Sequence, residues 1–166
     1  MLADELRAAQ APLKDRSRAD PATALVVLRA SGDLDTQAAS CSVQTGRALV
    51  EAGLHPATGG DGTLACSGDM LLQALVACAG VTLRAVAIAR GIDVTGSVHA
   101  EGDLDFRGTL GVDRDAPVGF RAIRLRFDLE SSASPDDLDA LIATTERYCV
   151  VLQTLANTPA LSVTRA

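Results

Sequence analysis

The amino-acid sequence predicts an α+β fold in which two long helices are segregated on a mainly antiparallel sheet. Three observations predict it. Residues Val94 to Glu101 and Ile123 to Leu129 alternate apolar and polar side chains with period two, as half-buried strands do. A nearly unbroken apolar stretch begins at Met70 and runs on as a helix to Arg90, closed by Gly91. Further on, Leu138, Leu141, Ile142, Thr145, Cys149, Leu152 and Ala156 recur at spacings of three and four, the stripe of a second helix.

At 166 residues, with 48% hydrophobic and 22% charged side chains, the chain is long enough for one compact domain with a real core. Residues 1–22 are expected to form an N-terminal helix and arm, and residues 23–166 the domain. With no Trp, one Tyr and three Phe, the core must be built by helices packing closely through Ala, Val and Leu. Such small-residue faces also join subunits. A net charge of −6 without a Lys/Arg cluster argues against a nucleic-acid partner. The opening Met1-Leu2-Ala3-Asp4-Glu5-Leu6-Arg7 lacks the basic-then-apolar order of a signal peptide, so a cytoplasmic location is expected.

Element by element, the first residues suit a short amphipathic helix, followed by a polar linker from Pro12 to Pro21. Ala24 to Ala30 is strand-like, and Ala39 to Thr45 alternates around Cys41, with Ser31-Gly32-Asp33 as the turn of a hairpin between them. Gly53 to Gly62 is a glycine-rich loop, with neither the Lys-Ser/Thr ending of a phosphate loop nor a dinucleotide fingerprint. Ser67 or Asp69 can cap the long helix, whose apolar residues cover most of its circumference up to Ala79 and mark it as central and buried. Met70 to Leu83, interrupted by Gln73 and Thr82, falls short of the ~20 apolar residues that cross a bilayer, so no membrane span is expected. Leu104 to Val112 suits a third strand, Ser134-Pro135-Asp136-Asp137 a strong helix start, and Leu161 to Thr164 a last short strand.

Four cysteines, Cys41, Cys66, Cys78 and Cys149, show no CxxC pairing and have only His55 and His99 as imidazole partners. Neither a zinc site nor a disulfide scaffold is indicated; packing or thiol chemistry remains. The acidic group Glu101, Asp103 and Asp105 does not match a calcium loop. Cys78 lies in the most apolar helix and Cys149 on the apolar stripe of the other. Two helices sharing one core can bring these thiols together for a cycle in which one is oxidised by a peroxide and the other captures it as a disulfide. Burial as small hydrophobes is the plain alternative for both.

The segment Ser67-Gly68-Asp69-Met70-Leu71-Leu72-Gln73-Ala74-Leu75-Val76-Ala77-Cys78 resembles the reactive-cysteine helix of the osmotically inducible and organic hydroperoxide resistance (OsmC/Ohr) family. Glu146-Arg147-Tyr148-Cys149, followed by Val150-Val151-Leu152, is similar to the family's second-cysteine helix, and the order of elements agrees over roughly residues 24 to 165. The resemblance implies an intertwined homodimer and a thiol peroxidase, with Cys78 peroxidatic and Cys149 resolving. Organic hydroperoxides would be the substrates, and a dithiol such as a dihydrolipoyl group the reductant. It also implies an acidic residue and an arginine that hold the thiolate. Asp69 stands at the acidic position, on one regular helix about 13 Å from Cys78; Arg47 is the candidate arginine, with Arg29 and Arg18 as rivals. An apolar cleft lined by Met70, Leu71 and Leu75 would take the organic tail, with His55 orienting the substrate or fixing its loop. The family's second cysteine is commonly followed by Pro, where this sequence has Val150, a change that bears on how the helix turns. The alternatives are an OsmC-like binding or stress-associated module without an activated thiol, and a cysteine hydrolase using Cys78 and His55.

Overall fold

The computed structural model describes residues 4, 8, 11, 19, 32–34, 40–44, 49–111 and 113–165, with side chains from 49 onward and at the first four positions. The strand expected at Ala24 to Ala30 and most of the arm expected over residues 1–22 lie outside the described residues. Four strands form one sheet in the order β1 (Gly32–Leu34), β2 (Ser40–Gln44), β3 (Leu49–Gly53) and β4 (Ala65–Cys66). The first two pairings are antiparallel, with Cys41 opposite Ala52, and the last is parallel, with Gly53 beside Cys66. The long helix α1 (Ser67–Arg90) leads to the two-stranded sheet of β5 (Thr95–Leu104) and β6 (Phe120–Glu130), between which lies the short α2 (Phe106–Thr109). Two helices close the chain, α3 (Pro135–Tyr148) and α4 (Val150–Ala156).

Several elements differ from expectation, each for a local reason. Gly32 and Asp33 belong to strand β1 rather than to a hairpin turn, because they pair with Val43 and Ser42. The alternation after Leu104 gives way to α2, since the Asp105 carboxylate accepts the Arg107 N–H at 3.2 Å and caps a helical turn. Leu161 to Thr164 pairs with no described strand; Leu161 and Val163 point to solvent. β3 was not foreseen, because Leu49–Gly53 offers only five residues before the glycine-rich loop.

The chain divides into two compact units. One comprises Lys14–Gln73 and Ala100–Arg124, hence the four-stranded sheet, the first turns of α1, α2 and the adjoining ends of β5 and β6. The other comprises Met1–Leu13, Ala74–His99 and Leu125–Ala166, and holds the main core. There Leu83, Ala87, Val94 and Leu141 are buried together, with Val86, Ile92, Phe127, Leu129 and Leu138 packed against them. Leu75, Ala79, Leu83 and Ala87 follow at intervals of four on α1, one stripe of its surface. The other faces of α1 are open within the chain, Val81 being 73% exposed. By length and composition alone α1 is able to cross a bilayer; here its stripe packs into the core, and Arg84 donates to the Val94 carbonyl at 2.8 Å. Gly91 ends the helix at φ 69°, a left-handed C-terminal stop that glycine takes without strain.

Candidate active site

The second long helix is not continuous. α3 starts as its sequence dictates, with Ser134 accepting the Asp137 N–H at 3.1 Å and Pro135 in the first turn. It stops at Tyr148, because Cys149 takes an extended backbone, φ −73° and ψ 104°. The ladder persists on either side, through Cys149 N–H to Thr145 at 2.9 Å and Gln153 N–H to Cys149 at 2.9 Å. The break frees the Glu146 carbonyl, which the Gln153 side-chain amide satisfies at 2.9 Å. It also frees the amides of Val150 and Val151, in the first turn of α4. β-branched Val150 and Val151 weaken the helix at this point, and the break needs no proline.

Those amides turn toward the Cys78 sulfur. Burial pushes the Cys78 thiol up, yet hydrogen bonds from the Val151 N–H, the Cys149 side chain, the Val150 N–H and the Thr82 hydroxyl outweigh it and leave the pKa below the ordinary thiol value. Each of these donors is neutral. Cys149, fully buried, behaves oppositely: burial raises it, its bond to Cys78 and the charge there raise it further, and the Leu152 and Val151 amides do not compensate. The two thiols therefore sit in contact with unequal acidities, Cys78 being the more acidic of the two. This arrangement suits a nucleophile and a proton-bearing neighbour that later becomes its disulfide partner.

Among the described residues, the groups that act on this sulfur belong to the unit of the main core. Thr82 was not singled out from the sequence, although it lies one helical turn beyond Cys78, the spacing that puts two side chains on one face. Nor were the Val150 and Val151 amides, because a continuous helix would have used both in its ladder. Leu75 is wholly enclosed on the buried stripe of α1, where periodicity with Ala79 and Leu83 puts it, so it lines no open cleft within the chain. Arg47, like Arg29 and Arg18, lies outside the described residues, as does the side chain of Cys41.

In the other unit, Asp69 stands exposed in the first turn of α1, so it is a first-turn carboxylate and not the residue that precedes the helix. It borders a cavity of about 400 Å³ together with His55, Cys66 and Leu72. Met70 and Leu71 border neither of the two cavities described in this unit, whereas Leu72 lines the first. His55 fixes its loop: Nδ1 accepts the Ala57 N–H at 3.0 Å, and the ring stacks on Phe106 at 4.9 Å. Cys66 is half-buried at the end of β4, and exposed His99 lies 3.4 Å from Asp128. Among the described residues no three His, Cys, Asp or Glu side chains converge as metal ligands.

The family model for OsmC-like proteins matches residues 60–164, more than half of the chain, including Cys78 and Cys149. The chain belongs to the OsmC-like family. The OsmC-like fold also agrees with an OsmC-like protein of Mycoplasma pneumoniae, at 18% identity, TM-score 0.67, over 80% of this chain and 89% of that one. An organic hydroperoxide resistance protein OsmC of Legionella pneumophila aligns at 16% identity and TM-score 0.58, over 80% and 91% of the respective chains. The organic hydroperoxide resistance protein OhrB of Bacillus subtilis aligns at 15% identity and TM-score 0.51, over 80% and 93%. At these identities the likeness shows the fold. No curated protein matches the chain in sequence.

One variant tests the role of the break in this OsmC-like protein. Proline fits the first position of α4, and the extended Cys149 backbone is the conformation a residue before proline prefers. Val150→Pro should therefore fold normally while deleting one donor to Cys78. A lost donor to the anion raises the pKa, so the pH midpoint of Cys78 alkylation should move up toward that of an ordinary thiol. An unchanged midpoint in a normally folded variant contradicts the assignment of that amide.

Proposed function

We propose that this OsmC-like protein is a thiol-dependent peroxidase that reduces organic hydroperoxides, with Cys78 as the peroxidatic and Cys149 as the resolving residue. The observation that carries the reading is the contact of two thiols whose surroundings push their acidities apart. The Cys78 thiolate attacks the distal peroxide oxygen; the O–O bond breaks, the alcohol leaves with a proton, and Cys78 becomes a sulfenic acid. Cys149 then attacks that sulfur, water departs, and a disulfide forms. A dithiol, of the dihydrolipoyl kind, returns both thiols and is itself oxidised to a cyclic disulfide. These steps call for no metal or cofactor.

The protein would act as a homodimer in the cytoplasm, where such reductants are abundant. Support for the dimer comes from α1, whose open apolar faces, with Val81 73% exposed, stand near the chain's most buried stripe. Val150, beside the thiol pair, is 70% exposed.

The reading is tested by following peroxide loss with dihydrolipoamide as reductant. Cumene hydroperoxide should turn over at least about tenfold faster than hydrogen peroxide, since only the former has an apolar tail to bind. Absence of turnover with any organic hydroperoxide overturns it.

A further inference from the structure

The unit that holds the four-stranded sheet contains a built cavity that the two-thiol chemistry does not use. The rings of His55, Phe106 and Phe120 stand in its wall. Asp105, held by Arg107 at 2.7 Å and brought down to a pKa of about 2 chiefly by that side-chain bond, caps α2 and seats Phe106. The Phe106 ring lies nearly parallel to His55, 17° apart at 4.9 Å. Phe120 takes the space that a side chain at Gly102 would fill. At Gly68 the missing side chain leaves room between Phe120, Cys66 and Leu104, each about 3.5–3.6 Å from where a Cβ would stand. The resulting cavity, about 400 Å³, falls in the size class of small-molecule sites.

Among the described residues that border this cavity, Asp69 and Asp103 carry charge and none is Lys or Arg. Asp103 is already engaged by the Arg124 guanidinium, at 2.6 and 2.7 Å. Asp69 has no hydrogen bond or ion pair with any described residue, and its carboxylate is exposed. Aromatic rings and an unspent carboxylate in the wall of one cavity are complementary to a ring that bears a positive group. A metal ion is a poorer fit, for want of three converging ligands among the described residues.

We propose that this cavity is a binding site for a small planar aromatic cation, its ring against Phe106, His55 and Phe120 and its charge directed to Asp69. The site stands apart from the peroxidase reading and does not depend on it. Cys66, half-buried in the cavity wall, supplies the reporter. The full-length protein would be treated with N-ethylmaleimide in the presence of benzamidine, its neutral analogue benzamide, or benzoate, and the alkylation of Cys66 timed by peptide mass spectrometry. Benzamidine should slow Cys66 by about tenfold at saturation, benzamide should need roughly tenfold higher concentration for the same effect, and benzoate should not protect. Gly68→Leu, which fills the space beside Cys66, and Asp69→Asn should each weaken the benzamidine effect, with melting curves checking that the variants fold. Protection by all three ligands alike overturns the cationic selectivity, and protection by none overturns the site. Because the comparison among ligands uses the unaltered protein, it decides the matter even if a variant does not fold.

Discussion

Cys78→Ser should lose hydroperoxide turnover by about a thousandfold or more, because a serine hydroxyl at neutral pH is neither ionised nor a comparable nucleophile toward a peroxide oxygen. Cys149→Ser should fail differently. Its Cys78 thiolate can still attack once, so one equivalent of peroxide is consumed and a sulfenic acid persists, trappable by dimedone. Both variants keep a small side chain near the contact described between the thiols, so a general loss of folding is not expected to mimic either result. The pair thus separates attack from resolution. If Cys78→Ser retains turnover, or Cys149→Ser cycles with dihydrolipoamide like the unaltered protein, the proposed roles are wrong.

The largest effect on stability is expected at Gly96. This residue sits in β5 at φ +130°, a region that L side chains rarely enter, and a Cβ there would run into the Asp128 backbone carbonyl of β6. Gly96→Ala must therefore reverse the backbone dihedral or push the two strands apart. A loss on the order of 3 kcal/mol follows from strain and steric conflict together, and the melting temperature should fall by roughly 10 °C. Gly91→Ala is the matched control. Its φ is also positive, 69°, but nothing lies within 4 Å of the added methyl, so a cost of about 1 kcal/mol is expected. Equal melting temperatures for the two variants would contradict the close approach of β5 and β6.

Much of the scaffold was legible because periodicity and punctuation agreed. The apolar run before Gly91, the alternation around Val98 and Phe127, and Ser134-Pro135 at a helix start each led to the element observed. Where two signals competed, the local polar one won, as when Asp105 capped a helical turn inside a seemingly alternating stretch. At the site, spacing brought Cys78 and Cys149 to mind as residues on apolar helix faces. The features that make their acidities unequal were less visible. Periodicity treats Cys149 as one more helical position, whereas its ψ of 104° breaks the helix there and releases the amides that face Cys78. Thr82 carries the ordinary spacing of a helical neighbour and nothing in the sequence separates it from a merely packed threonine. Asp69, which the resemblance puts forward as an acidic partner of the thiol, borders a cavity with His55, Cys66 and Leu72.

Whether Cys78 and Cys149 form one redox couple is decided by treating the fully reduced protein with one equivalent of cumene hydroperoxide and mapping its disulfides by mass spectrometry at short times. A Cys78–Cys149 disulfide should form within seconds, with Cys41 and Cys66 still reduced. Oxidation spread over all four cysteines, or none at Cys78, would contradict it.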